Sequence, residues 1–213
     1  MNAKDVTKLR GWVSPEYLEH DKIRDLAILF AKGKPFKHLE LPDFFIEKKI
    51  SQVLIGLEDE NFTFKESDLF KFNQTNDLAT TKNKFLQEFR DFLYSTAFIN
   101  YMQALTGFSL DKTQVDLAGT LYQDTDFLLV HDDQLDNRKI AFLSYLGSML
   151  ADQGGSLNLF HNKKGIPTKI SKKVTPKFNT LAFFEVSEIS FHEVEEVYAE
   201  VDRIAIGGWF YNA

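Results

Sequence analysis

The order of apolar and polar residues divides the chain into two parts. The first part has the spacing of helices. Apolar residues recur three, four and five positions apart from about Thr80 to Gly107, as in one long amphipathic helix or two shorter ones that end at Gly107. A helical pattern also runs over Ile46–Leu57, and another begins with Ser14 as its N-cap and ends at Gly33. The short run His38–Leu41 alternates like a strand.

After Gly107 the pattern changes to short apolar or β-rich runs separated by turn-like residues. These runs cover residues 115–122, 127–131, 139–146, 156–160, 180–185, 191–197 and 203–211. Short strands without helices between them are typical of a sandwich or barrel. The chain is therefore predicted to have an α+β, mainly β fold. Residues 1–213 are predicted to form one domain, with helical support over about 1–107 and a β core over about 108–213.

Composition and charge narrow the class of protein. Hydrophobic residues make up 44% of the chain, with 21 Phe, which is enough for a sizeable core, and no uninterrupted apolar stretch is long enough to suggest a membrane helix. The absence of Cys excludes disulfides and thiolate metal sites. The net charge of −6 disfavours bulk attraction to nucleic acid or anionic lipid and makes a basic protein partner easier to accommodate. The first residues lack the apolar run of a secretory signal, so we expect a cytoplasmic protein, or a nuclear one if the source is eukaryotic.

One segment departs from this acidic average. It contains six lysines: Lys163, Lys164, Lys169, Lys172, Lys173 and Lys177. The simplest interpretation is a solvated hairpin or loop. The alternative is a surface that contacts phosphate, such as RNA near a protein substrate.

A candidate metal site follows the apolar run Leu128–Val130. In an extended strand His131 and Asp133 would project to one side and Asp132 to the other. A second imidazole from His192 would complete a set of two histidines and one carboxylate, which leaves open positions on a metal, as in non-haem iron(II) oxygenases. Taken alone, His-x-Asp is a weak motif. A hydrogen-bonded His–Asp pair at the end of a strand is the competing interpretation.

Arg203 is the candidate anion-binding residue. It lies at the start of another strand-like run, and with a turn near Val197 it would face His192 across neighbouring strands. The planar guanidinium of a buried arginine suits a carboxylate bound through two hydrogen bonds. Arg203 is therefore a candidate for the far carboxylate of a dicarboxylic co-substrate, with Tyr122 as a second donor. A surface salt bridge of Arg203 with Asp202 and a purely packed Tyr122 are the alternatives.

At this point the chain resembles a known family, the 2-oxoglutarate- and iron(II)-dependent prolyl hydroxylases that modify a ribosomal protein of the small-subunit decoding centre. The resemblance extends from about residue 35 to the C-terminus. The matching runs are Pro35–Phe45, Asp68–Phe72, His131–Asp133, Arg138–Phe142, Gly154–Leu159, Asn179–Ser187, Ser190–Val194 and Ile206–Phe210. This covers far more of the chain than the metal motif alone.

The resemblance implies a fold and a set of cofactors. The fold of the family is a double-stranded β-helix, a jelly-roll or cupin-like core braced by N-terminal helices. His131, Asp133 and His192 match its iron ligands, and Arg203 matches the residue that binds the distal carboxylate of 2-oxoglutarate. The implied cofactors are iron(II) and the co-substrates 2-oxoglutarate and dioxygen, with ascorbate as an accessory reductant. No further catalytic side chain is expected beyond the metal centre.

The resemblance also implies a pocket and a partner. Tyr122 matches a tyrosine that assists Arg203, and Trp209 and Tyr145 are expected to line the pocket. The implied partner is a protein substrate, a ribosomal protein, hydroxylated on a prolyl residue. Eukaryotic members of the family carry a second, non-catalytic β-helix domain after the first, so contacts attributed to that domain are not expected within residues 1–213.

Other functional classes stay open at this point. The same scaffold supports oxygenases that act on a different protein side chain, a nucleobase or a small molecule. A regulator that senses oxygen or 2-oxoglutarate without turnover is the non-enzymatic alternative. The hydroxylated carbon, the number of hydroxyl groups added and the oligomeric state do not follow from the sequence.

Overall fold

The computed structural model describes residues 3–135 and 137–213. Its helices come early in the chain and form one layer. Their bounds are α1 Ala3–Arg10, α2 His20–Lys32, α3 Glu47–Glu58, α4 Lys84–Leu93 and α5 Thr96–Thr106, with a 3-10 turn at Pro15–Leu18 before α2. None of the helices in the described ranges is long and apolar enough to cross a membrane.

The strands form one antiparallel sheet that curls on itself. Their bounds are β1 His38–Leu41, β2 Thr63–Ser67, β3 Phe70–Gln74, β4 Leu110–Tyr122, β5 Phe127–His131, β6 Arg138–Tyr145, β7 Leu157–Lys163, β8 Ile166–Val174, β9 Thr180–Glu185, β10 His192–Val194 and β11 Arg203–Asn212. The order across the sheet is β1-β9-β6-β11-β4-β3-β5-β10-β7-β8, with β2 paired to β3 alone. The first five strands of this order face the last five as two layers of a jelly roll.

The two ends of the sheet approach each other. Lys172 on β8 lies 2.9 Å from Glu40 on β1, so the edge strands are joined by an ion pair. Five of the six lysines lie in the β7–β8 hairpin, with its turn at Lys164–Gly165, and Lys177 lies in the loop after β8. This confirms the simpler interpretation of that segment. Phosphate contact by the remaining lysines stays untested.

The helical layer covers the outer face of β4, β6, β9 and β11. Phe98 of α5 lies 6.0 Å from Phe210 of β11, and Phe30 of α2 stacks on Phe183 of β9 at 5.5 Å, measured between ring centroids. This contact buries a large aromatic core, whose stabilising effect grows with the apolar area removed from water. The other face of the same strands is left to line an internal cavity.

The long helical pattern before Gly107 resolves into two helices. The break falls at Ser95, whose side chain accepts a hydrogen bond from the backbone N–H of Phe98 and so caps α5. Gly107 ends α5 with a φ of 74°, the left-handed conformation predicted for a glycine stop.

Two N-terminal predictions need correction. Ser14 lies at the N-cap position of a helix that begins at Pro15, as predicted, but this helix is a 3-10 turn and α2 begins only at His20. The Ser14 hydroxyl does not cap the turn and donates instead to the carbonyl oxygens of Asp43 and Phe45. The range 1–107 also contains β2 and β3, which were not predicted, besides the predicted strand at His38–Leu41. Phe and Lys are interleaved in these two strands, but each strand is only five residues long, which is too few for a two-residue period to stand out in the sequence.

Candidate active site

The two histidines of the predicted site lie opposite each other on paired strands. His131 ends β5 and His192 begins β10, and the two are direct register partners with ring centroids 4.2 Å apart. The Nδ1 of His131 lies 2.8 Å from the carbonyl oxygen of Leu129, and that of His192 lies 2.7 Å from the carbonyl oxygen of Ser190. A carbonyl oxygen only accepts, so both Nδ1 atoms carry the proton. The Nε2 lone pairs are thereby left free to bind a cation.

Asp133 reaches these imidazoles through a turn. Its φ of 64° is left-handed, and β5 has already ended at His131, so the predicted strand alternation is wrong at this position. Asp is one of the few residues that tolerates this conformation. Ser190 donates to the carbonyl oxygen of Asp132 at 3.0 Å and so ties the turn to the segment before His192. The Asp132 carboxylate accepts from the backbone N–H of Gln134 at 3.1 Å.

The Asp133 carboxylate lies between the two imidazoles. Its oxygens are 3.4 Å from Nε2 of His131 and 3.4 Å from Nε2 of His192. Burial alone would raise the pKa of Asp133, but its interactions with the two histidines prevail and hold that pKa well below its ordinary range. Asp133 is therefore an anion at neutral pH.

Two more side chains fix the orientation of this carboxylate. The indole Nε1–H of Trp209 donates to Oδ2 of Asp133 at 3.0 Å. The guanidinium of Arg138 stacks over the Trp209 ring at 3.5 Å and lies 3.8 Å from Oδ1 of Asp133. Trp209 lines the pocket, as predicted, and in addition its indole contacts the Asp133 carboxylate directly.

The donor set fits a divalent cation. One ligand atom from each of His131, Asp133 and His192 lies within 4.8 Å of the others. Two bare imidazole nitrogens and a carboxylate oxygen point at one another without a donor between them, an arrangement that a metal ion or a proton would satisfy. The combination of nitrogen and oxygen ligands on one face suits iron(II) and leaves positions open for further ligands.

Arg203 is buried with most of its hydrogen-bonding capacity unused. Its side chain is 1% exposed, and its Nε–H donates to the carbonyl oxygen of Gly155 at 2.6 Å. Among the residues that the structure describes, neither terminal nitrogen of the guanidinium has a hydrogen-bond partner. Gly155 allows this close approach because a Cβ at that position would lie 3.1 Å from Cδ of Arg203 and 2.6 Å from Sδ of Met149. A buried guanidinium without an acceptor is costly, so this geometry fits an anionic ligand such as a carboxylate.

Tyrosines flank the guanidinium on both sides. Its central carbon lies 4.9 Å from the ring centroid of Tyr122 and 5.4 Å from that of Tyr145. The buried hydroxyl of Tyr145 and that of Thr180, its register partner on β9, have no hydrogen-bond partner within the described ranges of the chain. Tyr122 stacks on Phe72 at 4.9 Å. Tyr145 and Thr180 therefore offer the unused donors beside Arg203, and nothing in the sequence distinguished Thr180 from any other threonine at the start of a strand.

The two ends of the site belong to different layers of the jelly roll. Arg203 on β11 pairs with β4 and β6, whereas His192 on β10 pairs with β5 and β7. The prediction that these residues face each other across neighbouring strands is therefore wrong. They meet instead across an internal cavity of about 370 Å³ that both of them line.

The fold and this arrangement of side chains are similar to those of the 2-oxoglutarate–iron(II) oxygenases. Residues 117–211 match the family model described as the 2OG-Fe(II) oxygenase superfamily. The chain is also a relative of the OGFOD1 prolyl hydroxylases. It is 38% identical to prolyl 3-hydroxylase OGFOD1 of Mus musculus over 185 residues, which cover 84% of this chain and 33% of that protein. It is 33% identical to prolyl 3,4-dihydroxylase OGFOD1 of Ostreococcus tauri over 196 residues, with 84% of this chain and 38% of that protein covered.

The chain thus spans about a third of the length of the curated relatives that it matches. Among solved structures, a prolyl hydroxylase from Trichoplax adhaerens in complex with a hypoxia inducible factor peptide fragment is 17% identical, with a TM-score of 0.70 and coverage of 90% of this chain and 91% of that one. A prolyl-4-hydroxylase from Pseudomonas putida is 18% identical, with a TM-score of 0.66 and coverage of 88% and 99%. These similarities confirm the predicted double-stranded β-helix.

Proposed function

We propose that this protein hydroxylates a prolyl residue of a protein substrate with iron(II), 2-oxoglutarate and dioxygen. The single observation that carries the proposal is the pairing of a three-ligand cluster with a buried, partnerless guanidinium in one cavity. The names of the curated relatives, prolyl 3-hydroxylase and prolyl 3,4-dihydroxylase, favour a prolyl substrate over other targets of the same scaffold.

Each candidate residue has a distinct role in this scheme. Nε2 of His131, Nε2 of His192 and the Asp133 carboxylate hold the metal. Arg203 binds the distal carboxylate of 2-oxoglutarate through its two free terminal nitrogens, and Tyr122, which lines the cavity beside the guanidinium, is the second donor. The buried hydroxyl of Tyr145 is a further donor on the other side of the guanidinium. When bound, iron(II) with 2-oxoglutarate and dioxygen supplies the oxidant: one oxygen atom enters the substrate C–H bond, the other enters succinate, and carbon dioxide leaves. Ascorbate serves as an accessory reductant that keeps the metal in the ferrous state.

Apolar side chains keep water from the space between the metal ligands and Arg203. The ring of Phe184 packs on His192 with centroids 4.5 Å apart, and buried Leu157 and Val194 line the same cavity. Water exclusion strengthens the ion pair with Arg203, because charges interact more strongly at low local dielectric. It also protects the oxidant from unproductive reduction.

For the identity of the substrate, we propose a small-subunit ribosomal protein of the decoding centre. The resemblance of the chain to hydroxylases of that protein supports this choice. The test is mass spectrometry of the purified ribosomal protein after incubation with enzyme, iron(II), 2-oxoglutarate and dioxygen. We expect a mass gain of about 16 Da, for one oxygen atom, on a tryptic peptide that contains a proline, formed in step with succinate.

The control is His161→Ala, which removes an exposed imidazole outside the cavity and should leave the reaction intact. Hydroxylation at a residue other than proline would replace this proposal with another oxygenase activity. Binding of 2-oxoglutarate without succinate formation, under conditions in which a positive-control hydroxylase turns over, would favour a sensing function instead.

A further inference from the structure

The cavity continues beyond the metal ligands as a trench across the sheet. Residues of one strand alternate faces, so Arg203, Gly207 and Trp209 share the cavity face of β11. Ala118 on β4 is the register partner of Gly207, and Ala141 on β6 is that of Trp209. The small side chains at these positions leave open space above the cavity face of the sheet. The trench therefore has room for a peptide backbone to approach the metal site.

The far end of the trench is polar and acidic. Its lining there consists of Asn76, Asp77, Tyr94 and Asp116. In the described part of the lining, Arg203 at the inner end is the sole lysine or arginine. The proposed function assigns Arg203 to 2-oxoglutarate and Asp133 to the metal, which leaves two carboxylates at the far end for another ligand.

The two carboxylates differ in their surroundings. Asp77 lies 4.0 Å from the guanidinium of Arg90. Asp116 accepts a hydrogen bond from the hydroxyl of Tyr211 at 2.5 Å, which orients its carboxylate. Arg138, the register partner of Tyr211 on β6, lies 3.8 Å from Asp133 and also interacts with the Tyr211 hydroxyl, but it is not within ion-pair distance of Asp116. Within residues 3–135 and 137–213, Asp116 thus forms no ion pair with a lysine or arginine, and its side chain is exposed to the trench.

The register places Asp116 close to the reacting centre. Asp116 is the direct cross-strand partner of Trp209, whose indole donates to Asp133. Cross-strand partners have Cβ atoms about 5 Å apart, and an extended peptide advances about 3.3 Å per residue. A long side chain within three positions of a prolyl residue at the metal site therefore reaches Asp116.

We propose that the trench binds an extended peptide segment that carries a lysine or arginine within three residues of the target proline, and that Asp116 is the residue that recognises this cation. Asp77 adds to the negative potential at the same end. This inference rests on the proposed prolyl hydroxylation. The carboxylate is exposed enough to be solvated before binding, so its contribution is that of a partly desolvated ion pair at an interface.

The test uses three peptides that contain one proline and differ at a single position two residues away, which holds lysine, norleucine or glutamate. Hydroxylation is measured as kcat/KM from the mass gain of the peptide. For the unmodified enzyme we expect the lysine peptide to exceed the norleucine peptide by about twofold to fivefold, mainly through KM, because a solvent-accessible ion pair contributes up to about 1 kcal/mol. The glutamate peptide should be the poorest of the three.

Two variants assign the effect to one side chain. Asp116→Asn retains the size of the group and should remove the difference between the lysine and norleucine peptides, and Asp116→Lys should make the glutamate peptide the preferred one. Asp59→Asn is the matched control, since it removes one exposed carboxylate at the end of α3, outside the trench, and should keep the wild-type order.

Each outcome decides one of the two proposals. Equal rates for all three peptides, or a lysine preference that survives Asp116→Asn, would overturn the role of Asp116 while prolyl hydroxylation stands. If neither Asp116 variant folds, the wild-type order of the three peptides still decides whether the trench selects a cation. Turnover of 2-oxoglutarate with no prolyl hydroxylation of any peptide or of the ribosomal protein would overturn the proposed function and this inference with it.

Discussion

Trp209→Phe tests whether the indole positions the metal-binding carboxylate. The change removes the hydrogen bond from Nε1 to Oδ2 of Asp133, which is 3.0 Å long. It keeps an aromatic ring beneath the guanidinium of Arg138, which stacks on Trp209 at 3.5 Å. The variant therefore isolates the hydrogen bond from the packing around it.

The size of the effect follows from the charge on the acceptor. A hydrogen bond to a charged group contributes about 1.5–3 kcal/mol, and about 1.4 kcal/mol corresponds to a factor of ten in affinity. Removal of a partner of a metal ligand typically costs about 10- to 100-fold in metal affinity. Trp209 is only partly buried, so water can replace part of the lost bond. We therefore expect metal binding to weaken about tenfold.

The assay is anaerobic titration calorimetry of the metal-free protein with manganese(II) or iron(II). The chain has 2 Trp, and Trp12→Phe is the matched control because it makes the same change within the helical core, far from the cavity. Trp12→Phe should alter thermal stability at most and leave the metal dissociation constant unchanged. A change of less than twofold for Trp209→Phe would refute the positioning role.

Three further outcomes test the rest of the site. His131→Ala or Asp133→Ala should abolish substrate oxidation while circular dichroism shows an intact β core; full activity of either variant would falsify the metal assignment. Arg203→Ala should raise the KM for 2-oxoglutarate by about 100-fold or more, since it removes a buried charged partner, and an unchanged KM would remove Arg203 from the scheme. Burial lowers the pKa of His131, but the adjacent Asp133 carboxylate outweighs this and leaves it raised above its ordinary value of 6.5. Below this raised pKa a proton on His131 competes with the metal for the imidazole nitrogen, so the metal affinity measured by calorimetry should fall as the pH drops below it. An affinity that stays constant between about pH 8 and 5 would contradict this prediction.

The fold was largely accessible from periodicity. The helical spacing before Gly107 and the short apolar runs after it predicted the layers correctly, because apolar spacing reflects directly which face of an element is buried. The β2–β3 hairpin was not predicted. β2 is exposed along its whole length, so burial imposes no alternation on its sequence.

The metal ligands could be selected from the sequence, but their geometry could not. Strand alternation correctly predicted that Asp133 lies beside His131, but for the wrong reason. The strand ends at His131, and the left-handed backbone of Asp133, not the alternation of a strand, directs its carboxylate towards the imidazole. The expected contact of His192 with Arg203 across neighbouring strands failed for a different reason. Which strands become neighbours depends on pairings distant in sequence, and no local pattern encodes them.

Because the site is divided between two β layers, ligand binding at the site should raise the free energy of unfolding of the protein. One layer supplies His131, Asp133 and His192, and the other supplies Arg203 and Trp209. A keto acid that binds the metal at one end and the guanidinium at the other would connect both layers through a single small molecule. Ligand at about 100 times its dissociation constant adds about 2.7 kcal/mol to the free energy of unfolding. In a cell short of iron or of the keto acid, the same chain would then be idle and also easier to unfold and degrade.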